Sequence, residues 1–134
     1  MSHAADMIRT HPEDLTGADA DALAAAIDAC FDCAQTCTAC ADACLGEDMV
    51  AELRHCVRTD LDCAAVCLAT GQVLSRRTGH ASEVLRTVVE ACLAVCRTCA
   101  EECRGHAEMH EHCRVCAEAC ERCVAACEAF LATL

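Results

Sequence analysis

A chain of 134 residues with 17 cysteines, two phenylalanines and neither tryptophan nor tyrosine has room for one core and lacks the aromatic bulk that ordinarily fills it. Its formal charge of −12, with ten basic residues that are all arginine, argues against nucleic acid or an anionic membrane as partner and favours a cationic ligand. No apolar run approaches the ~20 residues of a membrane span.

The N-terminal stretch has neither an apolar signal core nor a twin-arginine pair, so the sequence predicts a soluble, cytosolic protein whose thiols stay reduced. An odd cysteine count leaves at least one thiol unpaired in a monomer. Neighbours on one helix face are also ill suited to a disulfide network. Residues 1–18 are polar, hold the only proline, Pro12, and read as a loose arm or a short helix set apart from a 19–134 domain.

From Asp19, a candidate N-cap, Ala-rich sequence with Leu23 and Ile27 leads into Cys30, Cys33, Cys37, Cys40 and Cys44 and stops at Gly46. Gaps of three and four residues place these thiols on one face of a first long helix. A second helix is predicted from Glu47 or Asp48 to about Thr78, with Cys56, Cys63 and Cys67 on one face and Asp60 at the position where the stripe lacks a cysteine. A third, capped by Ser82 with Glu83 in its first turn, carries Cys92, Cys96, Cys99 and Cys103 before Gly105. A fourth begins between Ala107 and His110 and runs to the C-terminus with Cys113, Cys116, Cys120, Cys123 and Cys127, repeating the spacing of the first.

Four helices with short connections predict an all-α, antiparallel up-down-up-down four-helix bundle with a cysteine-lined core. The likeness of the first and fourth helices is what an old helical-hairpin duplication would leave. Extending each stripe by the same rule gives two unlike ends. Leu23, Ile27, Leu74, Leu85, Val89, Phe130 and Leu134 form an apolar plug. Glu47, Met49, Leu53, His106, Met109, His110 and His112 form a mouth whose imidazole, thioether and carboxylate groups suit the passage of a soft cation.

Cysteine is a small hydrophobe, so an Ala/Cys core that packs helices and binds nothing is one reading. Alanine or valine would pack as well without the oxidation hazard, which favours a chemical reason for the stripe. A structural zinc site gathers four ligands at one point. Here the ligand pairs are chained, so thiolates can bridge successive metal ions. Soft thiolates select Cu(I), with zinc and iron–sulfur clusters as competitors. With every thiolate bridging two ions and every ion taking two sulfurs, capacity approaches one Cu(I) per cysteine, roughly 17 per chain, and binding expels the thiol protons.

Asp60 reads either as a metal ligand or proton acceptor among the clusters, or as a carboxylate met by serine, threonine or arginine near the wall. His106 and His110 fall on extrapolated stripes and His112 adjoins Cys113, which makes them candidate ligands. His3, His11, His55 and His80 lack that register. The arginines read as a solvated face with the acids, several at helical spacing such as Arg54 and Arg58. No nucleophile–histidine pair, phosphate-cradling loop or nucleotide fingerprint points to an enzyme.

The repeated Cys-x-x-Cys-x-x-x-Cys helices, the aspartate within the second stripe and the His110-Glu111-His112-Cys113-Arg114-Val115-Cys116 run together resemble the bacterial copper storage proteins, in their cytosolic branch without an export signal. The resemblance covers the chain from about Asp19 onward. It implies a four-helix bundle that fills with many Cu(I) ions through core cysteines, metal entering at the histidine end, a ligand role for Asp60 and assembly as a homotetramer. The expectation is therefore non-enzymatic cytosolic Cu(I) storage, with copper chaperones as exchange partners. An iron–sulfur electron-transfer protein and a zinc or thiol reservoir are the alternatives. Four long Ala/Leu-rich helices also predict a fold already formed without metal.

Overall fold

A computed structural model describes residues 2–15 and 17–134, the side chain of Ala18 excepted; Met1 and Thr16 lie outside the described residues. It contains helices α1 (Ala4–Arg9), α2 (Gly17–Leu45), α3 (Arg54–Leu74), α4 (Ser82–Arg104) and α5 (Glu111–Leu131), with a 3-10 turn at Val50–Leu53 ahead of α3. The fold is all-helical. Each of the four long helices carries its cysteines at gaps of three or four or their sum, so one face of each is lined with thiols and is buried, with Asp60 standing in the stripe of α3. The helices α2 and α4 each pack against both α3 and α5, and α1 lies on α2.

The helix ends differ from the sequence expectation in physically readable ways. The first long helix starts at Gly17, so Asp19 sits inside its first turn, where a carboxylate complements the helix dipole, instead of capping it. The second begins at Arg54, because residues 47–49 form a turn and 50–53 a 3-10 turn, a common lead-in to an α-helix. It ends at Leu74 and not near Thr78, with the Ser75 hydroxyl donating to the Gly71 carbonyl at 2.7 Å. The connection to α4 then turns at Gly79, whose φ of +64° is the left-handed region. Ser82 is the first residue of α4, and Ala81 precedes it without a side-chain cap. The start of α5 at Glu111 makes His110 its N-cap residue.

The plug forms from Leu23, Ile27, Leu74, Leu85, Val89 and Phe130, all buried, and Ile8 of α1 joins the same core. Leu134 does not belong to it. The helix ends at Leu131, so a four-residue extrapolation beyond Phe130 fails and Leu134 remains 37% exposed. Residues 1–18 thus contain a six-residue helix held to α2 through Ile8 and through the Ser2 hydroxyl, which donates to Asp28. Exposed ion pairs stitch the outside. Arg97 meets Glu128 and Arg104 meets Glu121 between α4 and α5, Arg122 meets Asp32 between α5 and α2, and Arg58 meets Asp62 along α3. Each such exposed pair contributes at most about 1 kcal/mol.

One close approach in the α2–α3 packing involves Gly71 and Phe31. A Cβ placed on Gly71 would stand 2.9–3.0 Å from the ring carbons of Phe31. Glycine to alanine inside a helix is worth about 1 kcal/mol of propensity, whereas overpacking costs about 1–3 kcal/mol. Gly71→Ala is therefore expected to be neutral or destabilising in the native chain, and to stabilise by about 1 kcal/mol in a Phe31→Ala background. Urea unfolding of the reduced, metal-free variants measures both; equal gains in the two backgrounds would contradict the contact.

Candidate metal centre

All 17 cysteines are buried and unpaired. Nearest sulfurs stand 3.4–4.0 Å apart, from Cys67–Cys96 at 3.4 Å to Cys30–Cys127 at 4.0 Å. That is well beyond the ~2.05 Å of a disulfide. It is the spacing that shared metal coordination needs. With a metal–sulfur bond of about 2.3 Å, two sulfurs on one ion lie about 3.8 Å apart in tetrahedral and about 4.0 Å apart in trigonal geometry.

The thiols follow one another as a column from the plug toward the histidines. Cys30, Cys92, Cys123 and Cys127 converge first, then Cys33, Cys63, Cys67 and Cys96. Cys33 and Cys63 recur in a further group with Cys37 and Cys120, and those two recur beside Cys99 and Cys116. Neighbouring groups therefore share ligands, which lets one sulfur serve two ions.

Asp60 lies within this column, fully buried. Its Oδ1 accepts from Cys99 at 3.0 Å, Cys116 at 3.3 Å and Cys103 at 3.4 Å, and its Oδ2 lies 3.9 Å from Cys56, itself 3.7 Å from Cys103. These contacts come from α3, α4 and α5, and all of them are thiols. Among the described residues only thiols, and no serine, threonine or arginine, bond its oxygens. Burial above all pushes its pKa up to about 9, so it holds its proton at neutral pH.

Hydrogen bonding among the thiols moves their pKa values in opposite directions. Cys33, Cys92 and Cys99 are drawn downward, with Cys120, Cys123 and Cys103 the foremost neighbours respectively. Cys37 and Cys96 are pushed upward, chiefly by Cys116 and Cys123. Near the mouth, burial pushes Cys44 up to about 11.

At the mouth a single carboxylate organises two imidazoles. Glu47, just beyond α2, accepts from His110 Nδ1 and from His112 Nε2, both at 2.9 Å, and the rings stack with centroids 5.5 Å apart. The other nitrogen of His112 lies 3.4 Å from Cys40 Sγ and 3.6 Å from Cys113 Sγ, while that of His110 lies 3.2 Å from Met49 Sδ. Cys40, Cys44, Cys113 and His112 thus converge as an outermost group of three sulfurs and one nitrogen. Burial opposes a charge on His112, but its hydrogen bonds to Cys40 and Glu47 outweigh that and raise its pKa. The bond from His112 holds Glu47 below the usual carboxylate range.

His106 lies on the outer lip, its Nε2 2.7 Å from Glu102 Oε2. Leu53 is fully buried beneath the mouth. Met109 is not part of it. It sits in the turn between α4 and α5, where helical extrapolation does not apply, and is 68% exposed. Two residues escaped the sequence reading. Glu102 stands one helical turn before His106, a spacing that could have revealed the pair, and His55 approaches the same carboxylate from α3, which its register did not suggest.

The family model for copper storage proteins matches residues 19–132. The chain is 57% identical to the copper storage protein Ccsp of Streptomyces lividans, solved loaded with 10 copper equivalents; the match covers 98% of this chain and 99% of that one, with a TM-score of 0.94. A second structure, of a cytosolic copper storage protein from the same organism with five coppers, is 58% identical over 89% of this chain and 99% of that one, with a TM-score of 0.87. An uncharacterized cysteine-rich protein of Bacillus subtilis strain 168, YhjQ, is 32% identical over 88 residues, 66% of this chain and 76% of that one. With its cysteine column and a family match spanning all four long helices, the chain belongs to the copper storage protein family.

Proposed function

We propose that the chain stores Cu(I) as thiolate-bridged ions along its core, using all 17 cysteines, with Asp60 among the clusters and His106, His110 and His112 as ligands on the way in. The observation that carries this reading is the chain of sulfurs 3.4–4.0 Å apart with cysteines shared between neighbouring groups. Charge decides which metal fits. One Cu(I) per thiolate is neutral, whereas a zinc tetrathiolate leaves two negative charges per site, while Arg58, Arg97, Arg104 and Arg122 pair with carboxylates on the surface and not with the core. An iron–sulfur cluster held by four thiolates meets the same objection.

The order of thiol contacts supports an antiparallel up-down-up-down four-helix arrangement. Along α2 and α5 the pairs run Cys30–Cys127 then Cys40–Cys113, and along α3 and α4 they run Cys56–Cys103, Cys63–Cys96 and Cys67–Cys92. Numbers rise on one helix as they fall on the other. Residues 19–134 then form the copper-holding unit, with residues 1–18 as an arm over the plug. Copper enters at the histidine end: Met49 and His110 receive the ion, and His112 passes it to Cys40 and Cys113, with Glu47 holding the far nitrogen of each imidazole. The role is non-enzymatic. A cytosolic location follows the description of the Streptomyces lividans relative, and exchange with copper chaperones fits that setting. Exposed Phe31, Leu61 and Leu68 border one groove between α2 and α3 and offer apolar surface for the homotetramer.

Two measurements follow. Protein purified from copper-supplemented cells is expected to be colourless, to hold many copper ions per chain with little iron or zinc, and to sediment as a tetramer. A brown, iron-bearing protein would overturn the copper reading, and a monomer would remove the assembly. Asp60 gives a second test through linkage. A carboxyl with a folded pKa near 9 against about 3.9 unfolded binds its proton more tightly in the folded chain. Its stabilisation is complete below the unfolded value and is lost as pH rises toward 9. Metal-free Asp60→Asn is therefore expected to lose less stability than the native chain between about pH 5 and pH 8, read from urea midpoints; identical losses would contradict the raised pKa.

A further inference from the structure

We infer that His55, Glu102 and His106 form a second, chemically different metal site on the lip of the bundle, suited to a borderline divalent cation of the Zn(II) type. The Glu102 carboxylate already gathers an imidazole on each oxygen: His106 Nε2 lies 2.7 Å from Oε2 and His55 Nε2 lies 3.8 Å from Oε1. The two rings come from different parts of the fold. His55 is the second residue of α3, Glu102 lies in the last turn of α4, and His106 follows α4 directly. With zinc bonds of about 2.0–2.1 Å, tetrahedral donors stand about 3.3 Å apart, and the separation of each imidazole from one carboxylate oxygen lies within about half an ångström to an ångström of that. Small rotations of the exposed His55 ring close the longer one.

Two nitrogens and a carboxylate oxygen, with a fourth position left to water, are a zinc donor set and a poor one for Cu(I), which prefers thiolates. The site is also reachable without opening the core. His55 is 70% exposed, and Glu102 and His106 are 23% and 24% exposed, whereas every cysteine is buried. A divalent cation drawn by the net charge of −12 therefore meets imidazole and carboxylate before it meets sulfur. Occupancy ties the start of α3 to the end of α4 and engages His106. Resting on the storage reading, this further implies that bound zinc slows Cu(I) uptake while leaving the final capacity unchanged.

The test uses full-length protein filled anaerobically with Cu(I), its copper content measured before any zinc is added, so that a failure to fill is charged to the storage reading alone. Zn(II) is then titrated calorimetrically, and Co(II) is titrated in parallel with visible absorption reporting its coordination. One equivalent per chain is expected, with affinity falling at least about tenfold in His55→Ala and in Glu102→Gln, and unchanged in His80→Ala. His55→Ala should fill with Cu(I) to the native level and lose the zinc-dependent delay in filling. Native-like zinc affinity in His55→Ala, or no zinc binding by the copper-filled native protein, would overturn the site.

Discussion

The structure depends on holding sulfur atoms close enough to share metal ions and too far apart to bond one another. Separations of 3.4–4.0 Å meet both conditions, and they are maintained across four helices at once. Rigid helices make this possible. A disulfide needs its two sulfurs at about 2.05 Å with a specific dihedral, whereas the thiols here lie side by side at 3.4–4.0 Å and all are free.

The same packing sets the electrostatics. A buried thiolate without a partner is costly, so the metal-free core stays largely protonated, its S–H groups donating to one another in place of water. Each Cu(I) that arrives replaces a proton and leaves the site neutral. Asp60 fits this scheme because it too is neutral in the empty core, its pKa raised to about 9 by burial above all. In the proposed storage role it exchanges that proton, or offers an oxygen ligand, as neighbouring thiols give up theirs. The mouth differs in kind: there the Glu47 carboxylate keeps two imidazoles oriented at 2.9 Å, with their other nitrogens toward Cys40, Cys113 and Met49.

Much of this was legible in the sequence because helical periodicity is local. The three-four spacing placed every cysteine in the core, placed Asp60 among them and separated the plug from the mouth. Extrapolation failed where the helices stopped. Leu134 and Met109 lie past or between helices, where the period has no meaning, and the start of α3 moved to Arg54 because a 3-10 turn intervenes. Contacts between helices were not legible either. Nothing in the spacing of His55 announces that it faces Glu102 across the α3–α4 boundary, and nothing in the run from His110 to Cys113 announces that one carboxylate holds both imidazoles.

The most direct test is an anaerobic titration of the fully reduced protein with Cu(I) against a competing chelator, followed in the near ultraviolet, where the absence of tryptophan and tyrosine leaves the thiolate-to-copper bands unobscured. The account predicts absorbance rising linearly to an endpoint near one copper per cysteine, roughly 17 per chain, with the chelator taking none until then. A break after one or two equivalents would contradict it, because the column would then hold a discrete site and most of its thiols would have no metal to share.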